Sequence, residues 1–226
     1  MRNTPEENKM ANRNNIPEIT KQILDAITWK HTGKMESMYS LSTSVLLNAY
    51  CEARRKNPDS ICSHCYAAAM TEGIYKTMQP KLERNTKLLT ESVIPVELWP
   101  IINAAFFRFE AFGDLNNVTQ IENYFNFCRK NKHVHFALWT KNTFLLFQAE
   151  KKGIKKPSNL IIIESSPFVN VPAKKTHKWI DKVFTVWDKE HAKKNPEMIN
   201  CGARHCMSCL KCYKKNKYTE INEIMK

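Results

Sequence analysis

The chain has 226 residues, 42% of them hydrophobic and 10% aromatic, with only five glycines; this is enough apolar material for a buried core and the wrong composition for a disordered tract or a fibrous repeat. A mini-scaffold held together only by cross-links is therefore excluded, and one large domain with at most a small appendage is expected. The formal net charge of +13 permits attraction to nucleic acid or another anionic partner, and no more than that.

Residues 1–15 are polar and Asn-rich and read as a flexible leader. Residues 16–199 read as an α/β core, and residues 200–226 as a cysteine-rich segment too short for a core of its own, ordered by the main domain or by a metal. Within the core, Ile16-Pro17 suits a helix start, and Ile23, Leu24 and Ile27 continue at helical spacing with Trp29 near the end. Residues 38–47, rich in Ser and Thr, read as an extended or irregular feeder into the first cysteines. Two helices follow, one from Cys65 and one through Leu82, Leu88 and Leu89 toward Val96, separated by an interruption at Pro80.

Residues 105–109 read as a buried strand closed by the turn at Gly113-Asp114, and residues 117–130 return to helical spacing. A second strand spans 134–139, a helix 143–152 stops at Gly153, and further strands span 160–163 and 183–186. Strands alternating with helices predict parallel βα units in an open sheet or a partial TIM-like barrel. No apolar run is long enough to cross a bilayer, and residues 1–30 lack a signal-peptide stretch, so no membrane association and a cytoplasmic location are expected.

Seven of the eight cysteines fall into two groups, Cys51, Cys62 and Cys65 as C-x10-C-x2-C, and Cys201, Cys206, Cys209 and Cys212 as C-x4-C-x2-C-x2-C. In a reducing compartment such groups bind metal or do redox chemistry more readily than they form disulfides. A C-x2-C turn projects two sulfurs to one side, which suits a zinc ion or a [4Fe–4S] cluster. Three thiolates can hold three irons of a cubane and leave the fourth open, whereas structural zinc wants a closed set of four. The expectation is one or two [4Fe–4S] clusters. Zinc is the alternative, with His64 or His31 completing the first site and His205 entering the second. Cys128, inside a helical apolar pattern, reads as a core thiol.

Ligands of parallel sheets bind at the carboxyl ends of strands. Here those ends carry Arg108, Glu110, Gly113 and Asp114; then Thr140, Lys141 and Asn142; then Glu164, Ser165 and Ser166; then Asp188. The plain reading is that Arg108 and Glu110 pair, that Asp114 caps the next helix, and that the others are turns. The functional reading is that four such ends converge on one rim. Lysine pairs at 151–152, 155–156, 174–175, 193–194 and 214–215 are a solvated surface, or a nucleic-acid groove if they share a face.

The set Lys34-Met35, residues 40–44 (Ser-Leu-Ser-Thr-Ser), Cys51, Cys62-Ser63-His64-Cys65-Tyr66-Ala67, Phe109-Glu110-Ala111-Phe112-Gly113-Asp114, residues 137–141 and the terminal cysteines resembles a family of cysteine-rich phage proteins, the gene product 88 type. Membership implies a host-cytoplasmic location. More distantly, three cysteines ahead of a run of βα units resemble the radical S-adenosylmethionine enzymes, although their spacing is C-x3-C-x2-C and His64 stands where they carry an aromatic near adenine. That resemblance implies reductive cleavage of S-adenosylmethionine, an electron donor, and a radical that takes hydrogen from an unknown substrate. It also implies cofactor-binding roles for His64, Gly113, Asp114, Lys141 and Ser165, with Glu110 or Asp114, the catalytic candidates, directed to the cofactor's amine, Lys141 or Ser165 to its carboxylate or ribose, and the four tail cysteines as an auxiliary cluster. The competing expectation is a non-catalytic protein, stapled by zinc or a cluster, that binds nucleic acid.

Overall fold

The computed structural model describes residues 16–225, so the leader expected over 1–15 lies outside the described residues. Helix α1 (Glu18–Ala26) follows Pro17, carries Glu18 in its first turn and buries Ile23 and Ala26. It ends earlier than its apolar spacing suggests, because the β-branched pair Ile27-Thr28 turns extended and residues 28–30 form strand β1 (Thr28–Lys30). Trp29 is thus a strand residue, its ring 4.5 Å from Tyr39. The expected feeder is likewise regular: β2 (Met38–Leu41) pairs antiparallel with β1 and parallel with β3. Its polar residue, Ser40, is buried between neighbours, so alternation by polarity could not reveal it.

Helix α2 (Ala49–Arg55) starts at an Asn48 cap that accepts from the Tyr50 and Cys51 N–H groups. Helices α3 (Tyr66–Glu72) and α4 (Gln79–Thr90) follow, and Pro80 sits in the first turn of α4, where its missing N–H is harmless, so it opens that helix and does not interrupt one. Next come β3 (Phe106–Phe109), α5 (Val118–Lys130) and β4 (His135–Thr140). Then α6 (Phe144–Lys151) leads to β5 (Leu160–Ser165) and β6 (Ile180–Trp187), both longer than their apolar runs. The remaining elements are α7 (Lys189–Lys194), the single turn α8 (Cys206–Cys209) and β7 (Glu220–Ile224).

The seven strands lie in chain order across one sheet, β1 to β7, every pair parallel except β1 with β2. No pairing joins β1 to β7 among the described residues, so of the two expected forms the sheet takes the open one. Strand alternation gives the sheet two differently covered faces. Phe107, Phe109, Phe136, Leu138, Leu160 and Ile162 turn toward α1, α4, α5 and α6 in the main core, where Phe109 stacks on Tyr124 at 4.1 Å. The alternate residues Met38 and Ala137 turn the other way, against Tyr213, Cys206 and Cys212 of the tail. The cysteine-rich segment therefore covers the second face, and β7 joins the main sheet beside β6.

The long connection between α4 and β3 is held by side chains of α5. Asn123 is fully buried; it accepts from the Ile94 N–H at 2.7 Å and donates to the Leu89 and Ser92 carbonyls at 2.8 Å each. Asn131, at the end of α5, does the same for Ile102 and Pro100. Replacing Asn123 by Ala leaves three backbone groups unsatisfied and is expected to cost about 3 kcal/mol, read as a lower midpoint of urea unfolding at unchanged slope.

Candidate functional site

The first cysteine group is pinned to the carboxyl ends of the parallel strands by hydrogen bonds to their emerging backbone. After β3, Asn48 donates to the Asp114 carbonyl at 2.9 Å, and the Tyr66 hydroxyl donates to the Ala111 carbonyl at 2.8 Å. After β4, the Tyr50 hydroxyl donates to the Lys141 carbonyl at 2.8 Å. After β5, the Pro167 carbonyl accepts from the Ile61 N–H at 2.9 Å and from the Ser60 hydroxyl. Cys51 on α2, and Cys62 and Cys65 on the turn before α3, therefore ride on one rim. The C-x2-C turn closes with the Cys65 N–H on the Cys62 carbonyl at 3.1 Å. Burial foremost, then Asp114, Cys62, Cys65 and Glu110, push the Cys51 thiol well above its ordinary pKa.

Glu110 lies behind this rim. It is 3% exposed and holds a left-handed backbone, φ 52°, a conformation that costs a non-glycine residue about 1–2 kcal/mol. Its carboxyl accepts from the Thr43 N–H and hydroxyl, from Gln120 at 2.6 Å and, over a short contact, from the Tyr124 hydroxyl. Gly113, with φ 94°, closes the pocket: a Cβ there would sit 2.5 Å from Glu110 Oε2 and 2.7 Å from the Thr43 carbonyl. Burial pushes the Glu110 carboxyl up to about 8, against the opposing pull of the Tyr124 and Thr43 hydrogen bonds. The expected pairing with Arg108 is absent, because the two side chains leave β3 for different surroundings.

Asp114 is a latch between strand ends. Its Oδ1 accepts from the Thr140 hydroxyl and the Leu115 N–H, and Oδ2 accepts from the Lys141 N–H at 2.9 Å. It does not cap α5, since Asn117 takes that place by accepting from the Gln120 N–H. Lys141 contributes its backbone to this latch, Ser165 is buried at the end of β5, and His64 is exposed beside the cysteine turn. Of the other strand ends, Glu164 binds Thr176 and Asp188 caps α7, both ordinary structural roles. Cys128 is a fully buried core thiol, as its pattern predicts.

The four tail cysteines gather around the other face. Cys206 and Cys209 bound one helical turn, closed by Leu210 in the left-handed region at φ 55°. The Cys206 N–H donates to the Lys34 carbonyl at 2.7 Å and the Cys201 N–H to the Asn222 carbonyl at 3.0 Å, which ties the segment to the β1–β2 turn and to β7. Lys34 Nζ donates to Cys201 Sγ at 3.2 Å and pairs with Glu223. Burial pushes the Cys212 thiol up to about 12. His205 contacts the Gly33 carbonyl and Glu36, and His31 is exposed beside Trp29.

All eight cysteines are free thiols. Among the described residues no three His, Cys, Asp or Glu side chains converge closely enough to hold a metal ion as they stand, so the ready-made metal site expected from spacing is not found. Sequence reading also missed Thr43, Gln120 and Tyr124, which surround Glu110; the i, i+4 spacing of the last two was the available signal. Lys156 pairs with Asp181 and Lys194 with Glu190, whereas Lys214 and Lys215 border a cavity of about 450 Å3 with His135 and Tyr213. No helix among the described residues is long and apolar enough to cross a membrane.

These features define a mixed α/β protein with an open, mostly parallel sheet and two cysteine-bearing segments laid on its rim and second face. The profile of the phage protein family Gene product 88 matches residues 6–222, and the chain belongs to that family. No curated protein and no solved structure matches it.

Glu110 makes stability depend on pH. Its folded pKa is raised from 4.5 to about 8, so the folded state holds the proton more tightly than the unfolded one. The corresponding stabilisation is complete below the unfolded value and is lost as pH rises through the folded value. Between about pH 5 and pH 8 this group should remove on the order of a few kcal/mol of stability, and Glu110→Gln should flatten that part of the profile in urea titrations run across the range.

Proposed function

We propose that the protein binds iron–sulfur clusters, with Cys51, Cys62 and Cys65 holding a [4Fe–4S] cluster at the strand-end rim and Cys201, Cys206, Cys209 and Cys212 holding a second. The observation that carries this reading is the pinning of the three-cysteine segment to the ends of β3, β4 and β5 by five named hydrogen bonds. That rim is where α/β sheets present ligands, and no structural need of the sheet requires thiols there.

In number and type the donors, three thiols and then four, suit iron more than zinc, and in either case the sulfurs must draw together to close on the metal. A single zinc ion would have to draw its sulfurs in to about 2.3 Å from one point, whereas a cubane carries its irons on separate corners. At the first site Cys51 lies within electrostatic reach of both Cys62 and Cys65, and a set of three would leave one iron for an exogenous ligand.

The finer reading is an enzyme resembling the radical S-adenosylmethionine class. When bound, the cluster would supply a low-potential electron to a sulfonium cofactor seated at its open position. In this reading Asp114 keeps the rim loops in register, Gly113 lets the backbone approach closely, and Lys141, Ser165 and His64 stand at the rim as cofactor contacts. Glu110, buried behind the rim, braces it through its bonds to Thr43, Gln120 and Tyr124 and would be the acid nearest the bound cofactor. The long first gap places Cys51 on a helix of its own, α2.

Protein purified and reconstituted without oxygen should be brown and carry roughly eight irons, four to each cubane. Cys65→Ala should retain roughly four of them. Colourless protein with one or two zinc ions overturns the cluster reading. The enzyme reading stands or falls on release of 5′-deoxyadenosine from S-adenosylmethionine under dithionite, which Cys65→Ala should abolish.

A further inference from the structure

The lysines near the end of the tail are held in a loop that carries no acid of its own. Residues 211–218 read Lys-Cys-Tyr-Lys-Lys-Asn-Lys-Tyr, four cations without a carboxylate among them. Like charges this close repel, yet the loop is tied to the sheet from beneath. Lys182, buried in β6, donates to Asn216 at 2.8 Å and to the Tyr218 carbonyl at 2.6 Å. Lys211 and Lys217 lie over the Tyr218 ring at 4.5 and 5.6 Å, and Lys214 over the Phe106 ring at 5.5 Å. On the same face Arg108 lies over the Trp139 ring at 4.1 Å, and its Nε and the Tyr213 hydroxyl are buried without a hydrogen bond. The sheet behind the loop therefore adds positive charge of its own.

Lys214 and Lys215 border the cavity of about 450 Å3 at the amino ends of β4 and β5, the edge of the sheet opposite the cysteine rim. His135, Ser158, Asn159, Ile161 and Tyr213 complete its lining, so three basic side chains border it and no carboxylate or thiol does. Asn159 builds one wall: its side-chain nitrogen donates to the Cys128, Asn131 and Val134 carbonyls at 3.1, 3.0 and 3.1 Å and fixes the turn before β5. Another wall is a ring platform. His135 is exposed, and Phe106 stacks behind it at 5.5 Å with 23° between the planes, itself edge-on to Tyr213 at 6.1 Å. A braced, basic recess with a flat exposed ring suits a ligand that carries both negative charge and a planar group.

We infer that this recess binds single-stranded nucleic acid: Lys214 and Lys215 take backbone phosphates, and the His135 ring, backed by Phe106, stacks one unpaired base. The room is that of a small-molecule pocket, which one splayed nucleotide fills. A duplex keeps its bases stacked inside and offers the recess only its phosphates. A single strand has free π-faces, and stacking on a ring tolerates any sequence. Lys211, Tyr218 and Lys217 continue the same pattern of cation and ring along the loop for the neighbouring nucleotides. The lysine pairs thus differ in use: Lys156 and Lys194 neutralise acids of their own, while Lys214 and Lys215 serve a ligand. Because no thiol lines the recess, this site is independent of the cluster reading.

The test is fluorescence anisotropy of a labelled oligothymidylate titrated with full-length protein at several salt concentrations. Lys214→Ala with Lys215→Ala should weaken binding about tenfold or more and flatten the dependence of log affinity on log salt by about 1.4, two phosphate contacts at about 0.7 each. Lys151→Ala with Lys152→Ala removes the same formal charge at the end of α6, on the helical side of the sheet, and should leave that slope unchanged. His135→Ala, at an exposed position, should weaken binding about tenfold with no change of slope and should have no effect on an abasic strand of equal charge. Equal losses from the two lysine pairs, a duplex that competes as well as the single strand, or no binding at all overturns the inference. Thymidine monophosphate that displaces the strand at equal nucleotide concentration assigns the recess to free nucleotides and overturns it as well.

Discussion

The backbone carbonyls that emerge past the ends of β3, β4 and β5 are the constraint on which the rest of the site depends. Strand-end carbonyls have no ladder partner, and each buried one must find a donor. Here the donors come from residues 48–66, the segment that carries the first three thiols. Satisfying the sheet and positioning the cysteines are thus one set of hydrogen bonds. Asp114 makes the arrangement rigid from below by joining the β3 exit to the β4 exit through Thr140 and Lys141.

Because the strands follow one another in chain order, the crossover helices α4, α5 and α6 pack side by side on one face. The aromatic core of Phe107, Phe109, Phe127 and Phe136 fills the space beneath them. The other face receives only the single turn α8 from the β6–β7 crossover and is closed by a different device, a cysteine-rich tail centred on Tyr213. The two faces therefore differ in kind. One is apolar packing that needs nothing further, and the other carries a buried cation and two unsatisfied polar atoms.

The parts of the fold legible in the sequence were those whose burial follows a simple period. Val118, Ile121, Tyr124, Phe125 and Cys128 announce α5, and residues 134–139 and 160–163 announce β4 and β5 because both faces of those strands are covered. β2 was hidden because its buried alternate is a serine, and β7 because an edge strand reading Glu-Ile-Asn-Glu-Ile looks like surface. Cysteine spacing separated the two thiol groups in the sequence, and the strand-end residues lie along one edge of the sheet because the strands are parallel. The partnership of Arg108 was not legible: its neighbours Trp139 and Tyr213 come from distant parts of the chain, and only the register of β2, β3 and β4 brings them together.

The tail's position has a consequence for how the molecule is made. Ribosomes deliver β1 to β6 first, so the helices can close over their face while Arg108, Trp139 and Met38 still look onto water. Only when residues 201–213 emerge does that surface gain its cover, and β7 then zips along β6 to hold it. Folding of the main domain and sealing of its second face are thus separate events in synthesis, and a chain cut short before residue 201 would keep its helical side while leaving the Arg108 side of the sheet uncovered.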